Sequence, residues 1–337
     1  MCNTFIQIRQ QAADFQFERV VSCSCDESKS NISVDALNLI KFDHLSVEDI
    51  AGGQNFKDID PDLNFFLNEV SKQCNYVMED EVCNLDEAVD SFSMYSLNIN
   101  NLPKKFSYFK DLLFDDPKNN FDFVGVCETK LDSNIDHLFS IHDYCMYKLN
   151  TARNSGGIAV YLNNKHINHF QRTDLTFNFN YLEALFIELK LDTGSILVGM
   201  IYRRPNTNVT EFINKMGEIL DIVAGENKKC YILGDFNLDL AKYNISNPVN
   251  DLVSLFTSYN LFCSINRPTR VSDSTASIID HIWTNDITHL IKAGIIHSEI
   301  SDHFPIFSSF KTKSNTEKGS QKVAEYRDFS LENIYFF

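Results

Sequence analysis

The chain has 337 residues, 44% of them hydrophobic, and a formal net charge of −16. This apolar content excludes a disordered chain and suffices for a buried core, and no apolar run is long enough to span a bilayer. So acidic a chain is not an obvious nucleic-acid binder, because phosphate contacts take their affinity from Lys and Arg.

The negative charge is concentrated at the N-terminus. Residues 1–90 contain 18 acidic and 6 basic residues and show no sustained hydrophobic period. We therefore predict an acidic, poorly ordered leader over residues 1–90, with a docking segment as the functional alternative. The rest of the chain has 28 acidic and 24 basic residues, so it can present a locally basic face.

The nine cysteines are an odd number without regular spacing, which predicts reduced thiols in an intracellular protein. Cys23, Cys25, Cys74 and Cys83 could be read as zinc ligands. Their spacing matches no standard zinc site and no histidine lies suitably beside them, so free thiols are the better interpretation.

From residue 91 onward, strands and helices alternate. Apolar runs predict strands at residues 92–97, 121–127, 158–162, 185–191, 196–202, 230–233, 278–283 and 304–310. Apolar residues at helical spacing predict helices at residues 102–114, 209–223 and 252–259. This order predicts an α/β domain over residues 91–310, with two mixed sheets packed face to face and helices outside. Residues 311–337 are predicted to be a C-terminal linker.

Polar side chains follow the first two strands of this domain. Glu128 comes directly after a buried strand, and a hard oxygen ligand held there suits Mg²⁺. Taken alone, Glu128 would more simply cap a helix. Asn98 and Asn100 could steer a phosphate oxygen or complete a metal shell, although two asparagines at a strand end usually mark a turn.

Asp235 and Asn237 follow a strongly apolar strand and the turn residue Gly234. A carboxylate in this position can align or deprotonate a water molecule, and the amide can hold a phosphate. A plain Gly-Asp turn is the alternative, and the apolar strand favours the functional interpretation.

Asp302 and His303 place a carboxylate beside a side chain that titrates near neutral pH. Asp280 could accept a hydrogen bond from His303 and fix its tautomer. His303 would then act as a general base or as a donor to developing negative charge. His281 has no such signal and is predicted to be an ordinary histidine.

The segment after the strand 196–202 carries phenol, guanidinium and amide groups. Tyr202 could donate to a phosphate or leaving-group oxygen, or it could be a core tyrosine. Arg203, Arg204 and, from another loop, Arg270 suit backbone phosphates, as does Asn206 in the same motif.

In their order along the chain, these motifs resemble the endonuclease/exonuclease/phosphatase superfamily. The residues that carry the resemblance are 97–100, 128–129, 202–206, 234–237, 279–281 and 301–303. Within the superfamily, the sequence is most similar to the apurinic/apyrimidinic-like endonuclease domain of non-LTR (LINE-type) retrotransposons. Residues 156–161 and 266–270 also fit the jockey/CR1-like branch, and the likeness covers about residues 91–310.

The resemblance implies a four-layered α/β/β/α sandwich of the deoxyribonuclease I-like type. It also implies one site that uses Mg²⁺, or Mn²⁺, to nick double-stranded DNA and leave a 3′-hydroxyl. Glu128 would be the principal metal ligand, with Asn98, Asn100 and Asp302 nearby. Asp235 would orient the attacking water, and Asn237 and Tyr202 would bind the phosphate. Asp280 would support His303.

Two features depart from the resemblance. Asn100 stands where the repair enzymes of the superfamily have aspartate, which changes the charge at the metal. The linker 311–337 would lead toward a reverse transcriptase that this chain lacks, so a fragment of a mobile element is expected.

The resemblance implies neither a membrane nor a small-molecule cofactor, and a DNA substrate implies a nuclear location, with a cytoplasmic one as the alternative. Two other functions stay open: a catalytically silent remnant that acts as a binding module, and a phosphatase or lipid phosphodiesterase of the same superfamily. The sequence gives neither the oligomeric state nor the target site.

Overall fold

In the computed structural model, the described residues are 6–11, 14–19, 74–84, 90–114, 120–150, 155–272 and 275–312. An N-terminal hairpin pairs β1 (Ile6–Gln11) with β2 (Asp14–Arg19) in antiparallel register. The rest of the predicted leader before Cys74, and the predicted linker after Thr312, lie outside the described residues.

The larger of two main sheets has seven strands. They are β3 (Cys74–Met78), β4 (Ser91–Asn98), β5 (Phe123–Cys127), β6 (Tyr144–Leu149), β7 (Ile158–Asn163), β16 (Leu290–His297) and β17 (Ile306–Lys311). Their order across the sheet is β3-β16-β17-β4-β5-β7-β6. The sheet is mixed, because β3 with β16 and β4 with β5 are parallel pairs and the other neighbours are antiparallel.

Strand β3 comes from within the predicted leader 1–90. It pairs with β16 from Cys74 opposite Ala293 to Met78 opposite His297. The phenol of Tyr76, which is 3% exposed, donates a 2.7 Å hydrogen bond to the Pro268 carbonyl. The predicted boundary at residue 90 therefore falls inside the folded domain, because buried side chains of β3 complete the edge of the sheet.

The second main sheet has six strands. They are β8 (His169–Asn178), β9 (Glu183–Leu191), β10 (Gly194–Tyr202), β11 (Lys229–Asp235), β12 (Phe262–Cys263) and β15 (Asp280–Thr284), in the order β12-β15-β11-β10-β9-β8. Only the β10–β11 pair is parallel in this described sheet. A small hairpin, β13 (Arg270–Val271) with β14 (Ala276–Ser277), precedes β15.

Among the described residues, three α-helices accompany the sheets: α1 (Leu102–Leu113), α2 (Val209–Gly225) and α3 (Asn247–Ser258). The Asn101 side chain caps α1 by accepting from the Lys104 N–H, and Asn208 caps α2 in the same way. In the described part of the chain, no helix is both long and apolar enough to cross a membrane.

The alternation of side chains along β4 separates two apolar cores. Phe92 and Met94 belong to the core between the two sheets, whereas Tyr95 and Leu97 pack in a second core with Phe109 of α1. Buried apolar residues of α2 and α3 join the first core from the outer side of the six-stranded sheet. The layers therefore run α1, seven-stranded sheet, six-stranded sheet, then α2 with α3, which confirms the predicted α/β/β/α sandwich.

Candidate active site

The ends of five strands meet at one edge of the sandwich. In the larger sheet, β4 and β5 are parallel and end side by side at Asn98 and Cys127. In the smaller sheet, Tyr202 of β10 lies beside Asp235 of β11, and Asp235 lies opposite Asp280 of β15. Because both sheets present these ends in the same direction, the polar residues that follow them are brought together.

One side-chain amide joins the polar groups of the two sheets. The Asn98 Nδ2 group donates to Glu128 Oε1 and to Asp235 Oδ2, at 2.9 Å in each case. The Tyr202 hydroxyl, from the other sheet, donates to the same Glu128 oxygen at 3.0 Å. Asn98, Tyr202 and Asp235 are each 3% exposed or less, so the network is buried apart from the partly exposed side chain of Glu128.

Glu128 is held by its backbone. Its φ is +52°, in the left-handed region that a residue with a Cβ rarely adopts. Its carbonyl accepts from the Asn101 N–H at 2.8 Å, and the next residue, Thr129, donates to the Gly157 carbonyl at 3.2 Å. Two loops therefore fix the direction in which the carboxylate points.

Asp280 and His303 form a buried pair next to Asp235. The Nδ1 of His303 lies 2.9 Å and 3.1 Å from the two Asp280 oxygens, and Asp280 also accepts from the Thr269 hydroxyl at 2.6 Å. Burial by itself would lower the pKa of His303, but the charge and hydrogen bond of Asp280, with Asp235 and Asp302 nearby, raise that pKa to about 9. At neutral pH His303 is therefore an imidazolium.

Asp235 is a buried acid with strong local partners. Its oxygens accept from the backbone N–H of Asn237 at 2.9 Å and from the Asn237 amide at 3.0 Å, besides Asn98. Burial, and then the negative charge of Asp280, raise the pKa of Asp235. The pKa of Asp235 is therefore closer to neutral pH than the pKa of an ordinary aspartate.

The turn that carries Asp235 depends on Gly234, which has a φ of +138°. A Cβ at that position would overlap the Ile201 carbonyl. Only glycine lets β11 turn this close to β10, and Asn237 two residues later has a φ of +48°.

The prediction that Arg203 binds DNA phosphate is contradicted by its burial. Arg203 is 4% exposed, and its guanidinium donates 2.7 Å hydrogen bonds to the carbonyls of Phe236 and Asn237. Burial lowers its pKa, and the charge of Asp235 opposes that shift. Arg203 supports the Asp235–Asn237 turn from inside the protein because its donors are used there.

Replacing Arg203 with alanine should therefore destabilise the fold. Two buried carbonyls would lose their donors, so we expect a loss of roughly 3 kcal/mol or more in the free energy of unfolding, measured by urea denaturation. Arg270→Ala is the control, because Arg270 is half exposed and its ion pair with Asp302 should contribute less than about 1 kcal/mol. Equal losses in the two variants would contradict the buried role of Arg203.

Arg204 and Arg270 lie in different surroundings. Arg204 pairs with the fully buried carboxylate of Glu183 and donates to the Ser155 hydroxyl at 3.0 Å, so most of its side chain is covered. Arg270 remains exposed on the β13–β14 hairpin and binds Asp302 at 2.6 Å. Of the predicted phosphate-binding arginines, Arg270 is thus the one with an accessible guanidinium.

The remaining predicted residues lie around this centre. Asn206 is exposed in the turn before α2, with a φ of +59°. Asn100 is exposed and accepts from Lys130 Nζ at 2.6 Å. Asp302 is about half exposed and contacts Arg270, so the structure places it at the rim beside His303.

The ordinary interpretation of His281 agrees with its surroundings. The ring is fully buried, its Nε2 lies 3.0 Å from the Ile278 carbonyl, and its Nδ1 accepts from the indole of Trp283 at 3.3 Å. Burial lowers its pKa to about 4. His281 is therefore a neutral core residue.

Three residues outside the predicted set contact its members: Thr269 binds Asp280, Lys130 binds Asn100, and Glu183 binds Arg204. Thr269 lies in the motif 266–270, in which the sequence predicts a role for Arg270 only. No sequence pattern marks Glu183, because its partner is 21 residues away.

In the described part of the chain, two sets of groups could hold a divalent cation. Asp235, Asp280 and His303 have ligand atoms within 4.8 Å of one another. Glu128 has a free edge: its Oε1 accepts from Asn98 and Tyr202, while the only ion-pair partner of its Oε2 among the described residues is Lys130, at 3.9 Å. Since His303 Nδ1 is already engaged by Asp280, the partly exposed Glu128 carboxylate suits an oxygen-liganded ion better.

Comparisons with known proteins agree with the fold. Residues 196–307 match the family described as "Endonuclease-reverse transcriptase". The AP endonuclease LMAP from Leishmania major superposes with a TM-score of 0.56 at 15% identity, covering 72% of this chain and 94% of that one. No curated protein gives a significant match.

Two further solved structures are similar. The endonuclease domain of TRAS1, a telomere-specific non-LTR retrotransposon, has a TM-score of 0.52 at 10% identity, covering 66% of this chain and all of that domain. The catalytic domain of APE2 from Xenopus laevis has a TM-score of 0.51 at 15% identity, covering 66% and 94%. These three structures therefore show the same fold at low identity, and the family match covers residues 196–307 of this chain.

Proposed function

We propose that this protein is a metal-dependent endonuclease that nicks double-stranded DNA and leaves a 3′-hydroxyl. The observation that carries the proposal is the meeting of two groups from each sheet. Glu128 and His303 follow strands of the larger sheet, and Asp235 and Asp280 belong to the smaller one. The Asn98 amide joins Glu128 to Asp235. A carboxylate with an open edge, a buried acid and an imidazolium are the groups that phosphodiester hydrolysis requires.

Asp235 is suited to orient the attacking water and accept its proton. Its raised pKa brings the carboxylate toward the range in which a general base works best at neutral pH. The water oxygen forms a bond to phosphorus, and the bond from phosphorus to the 3′ oxygen breaks. The departing 3′ oxygen takes up a proton from the solvent, so the products are a 3′-hydroxyl and a 5′-phosphate.

His303 is suited to stabilise the phosphate. With a pKa of about 9 it is protonated at neutral pH, so it donates a hydrogen bond to a non-bridging oxygen and does not act as the base. Asp280 and Thr269 keep the ring in place. Asn237 lies beside Asp235, and this position favours a role for Asn237 in binding the same phosphate.

Glu128 is the residue that would hold Mg²⁺ or Mn²⁺, through Oε2, with Asn98 and Tyr202 fixing the other oxygen. A bound divalent cation would polarise the phosphate and stabilise the charge of the leaving oxygen. Asn100, which shares Lys130 with Glu128, and Asp302, which pairs with Arg270, are the further candidate ligands.

A basic rim supports DNA as the substrate despite the acidic chain. Lys130 contacts Asn100, and Arg270 contacts Asp302. Lys105, on the first turn of α1, is close enough to Asp302 and Glu128 for their charges to oppose the lowering of its pKa by burial. These cations can contact DNA phosphates on either side of the cleavage position, and a DNA substrate would place the protein in the nucleus.

Purified protein should convert supercoiled plasmid to the nicked circle when Mg²⁺ or Mn²⁺ is added, and it should not do so in excess chelator. The nicks should be extendable by a DNA polymerase, because they carry a 3′-hydroxyl. A rise in melting temperature with Mn²⁺ but no nicking would instead support a silent binding module. Release of phosphate from a lipid phosphate without nicking would support the phosphatase alternative.

A further inference from the structure

The loop that carries Glu128 rests on the glycine pair in front of β7. The N–H groups of Thr129 and Lys130 donate to the carbonyls of Gly157 and Gly156, at 3.2 Å and 2.9 Å. Both glycines have φ values near +90°, and a Cβ at Gly157 would lie 2.5 Å from the Thr129 hydroxyl. The position of Glu128 therefore depends on where this glycine turn lies.

A buried ion pair holds the glycine turn from its other side. Glu183, which is 0% exposed at the start of β9, accepts from the Gly157 N–H at 2.7 Å. Its other oxygen binds the Arg204 guanidinium, which also donates to the Ser155 hydroxyl at 3.0 Å. A Cβ at Gly156 would overlap the Glu183 carboxylate, so the turn and the ion pair fit against each other without spare room.

We propose that Glu183 is a positioning residue for the metal site: through Gly157 and Arg204 it fixes the glycine turn and thereby the direction of the Glu128 carboxylate. This inference rests on the proposed function, in which Glu128 holds the cation. Burying a carboxylate raises its pKa and costs free energy, and here the Gly157 N–H and Arg204 offset that cost. Such a pair restricts the loop to one conformation, which is what a metal ligand needs.

This proposal gives Arg204, the second arginine of the 202–206 motif, a structural role. Arg203 supports the Asp235 turn through the Phe236 and Asn237 carbonyls, and Arg204 supports the Glu128 loop through Glu183. Neighbouring residues after β10 thus reach the two halves of the site.

Mn²⁺ binding without DNA is the direct test, measured by calorimetric titration of the full chain. Glu183→Gln should raise the Mn²⁺ dissociation constant by roughly tenfold or more, since loss of a residue that orients a ligand typically has this effect. The concentration of Mn²⁺ at half-maximal nicking should rise by the same factor, while nicking at saturating Mn²⁺ stays near the wild-type rate. Glu128→Gln should remove this binding and so identifies the site.

Glu188→Gln is the matched control. Glu188 lies on the same strand, is also buried, and forms ion pairs with Arg172 and Lys228, away from the glycine turn. It should lower the melting temperature but leave Mn²⁺ affinity unchanged. If Glu183→Gln does not fold, Arg204→Lys, which keeps the charge and loses the forked contacts, should show the weakened Mn²⁺ affinity.

Unchanged Mn²⁺ affinity in a folded Glu183→Gln protein, or equal losses in the Glu183 and Glu188 variants, would overturn the inference. So would a wild-type chain that binds no Mn²⁺. A wild-type chain that binds Mn²⁺ at Glu128 but does not nick DNA would contradict the endonuclease proposal alone, and the affinity comparison would still decide the role of Glu183.

Discussion

Glu128→Gln is expected to lower the rate of plasmid nicking by about 1000-fold, because the charge stabilisation supplied by a bound cation amounts to several kcal/mol. The substitution keeps the size of the side chain, so Asn98 and Tyr202 retain a partner of similar shape. Single-turnover nicking at saturating Mg²⁺ measures the effect.

Glu218→Gln is the control for this variant. Glu218 is exposed on α2 and pairs with Lys215, so the same change of charge is made on the surface, at a residue outside the site. Its nicking rate should equal that of the wild type. A Glu128→Gln protein that nicks within about tenfold of the wild-type rate would show that the cation is held elsewhere, with Asp235, Asp280 and His303 as the next candidates.

His303→Ala is expected to lower the nicking rate by about 10²–10⁴-fold, the usual range for a positioned proton-transfer or hydrogen-bonding group. The wild-type rate should also fall as the pH rises above about 9, because His303 then loses its proton. On the acidic side, the rate should rise with pH as Asp235, whose pKa is raised, becomes ionised. The pH–rate profile of wild type against His303→Ala measures both limbs, and the alkaline limb should be missing in the variant.

The His303–Asp280 pair should also stabilise the folded protein, and this stabilisation should decrease as the pH rises. The pKa of His303 is raised from 6.5 to about 9 on folding, so its contribution to the free energy of unfolding is fully present below 6.5 and is lost as the pH rises through about 9. The difference in melting temperature between wild type and His303→Ala should therefore shrink with rising pH over this window.

A second histidine–aspartate pair provides the control. His289 lies 2.7 Å from Asp286, outside the site, and His289→Ala should leave the nicking rate and its pH profile unchanged. An equal loss of nicking in the two histidine variants would show that the loss comes from general destabilisation. It would contradict the role of His303 in stabilising the phosphate.

The strands that were predicted from the sequence share one physical property: they are buried on both faces. Runs such as β5, β10 and β11 are apolar throughout, so the pattern finds them without knowledge of their neighbours. The strands β6 and β8 were missed because they form edges of the sheets and alternate weakly between polar and apolar residues. The strand β3 was missed because its acidic surroundings concealed a short apolar run that only pairing with β16 stabilises.

The proximity of the candidate site residues was predictable to the extent that they lie at strand ends. Asn98, Glu128, Tyr202, Asp235 and Asp280 each end, follow or begin a strand, and parallel neighbours bring such ends to one edge. The arginines were not predictable in this way, because a guanidinium has the same sequence signal whether it is buried or exposed. Arg203 is buried under a turn while Arg270 lies in solvent, and only their partners separate them.

The sequence by itself determined the α/β class, the order of the apolar strands, and which carboxylate, amide and histidine groups adjoin the ends of those strands. These features depend on local apolar periodicity and on residues adjacent to strand ends. The tertiary structure decided which groups touch: the Asn98 amide between Glu128 and Asp235, and the Glu183–Arg204 pair behind the glycine turn. Those contacts join residues from 21 to 137 positions apart, and side-chain packing in three dimensions selects them.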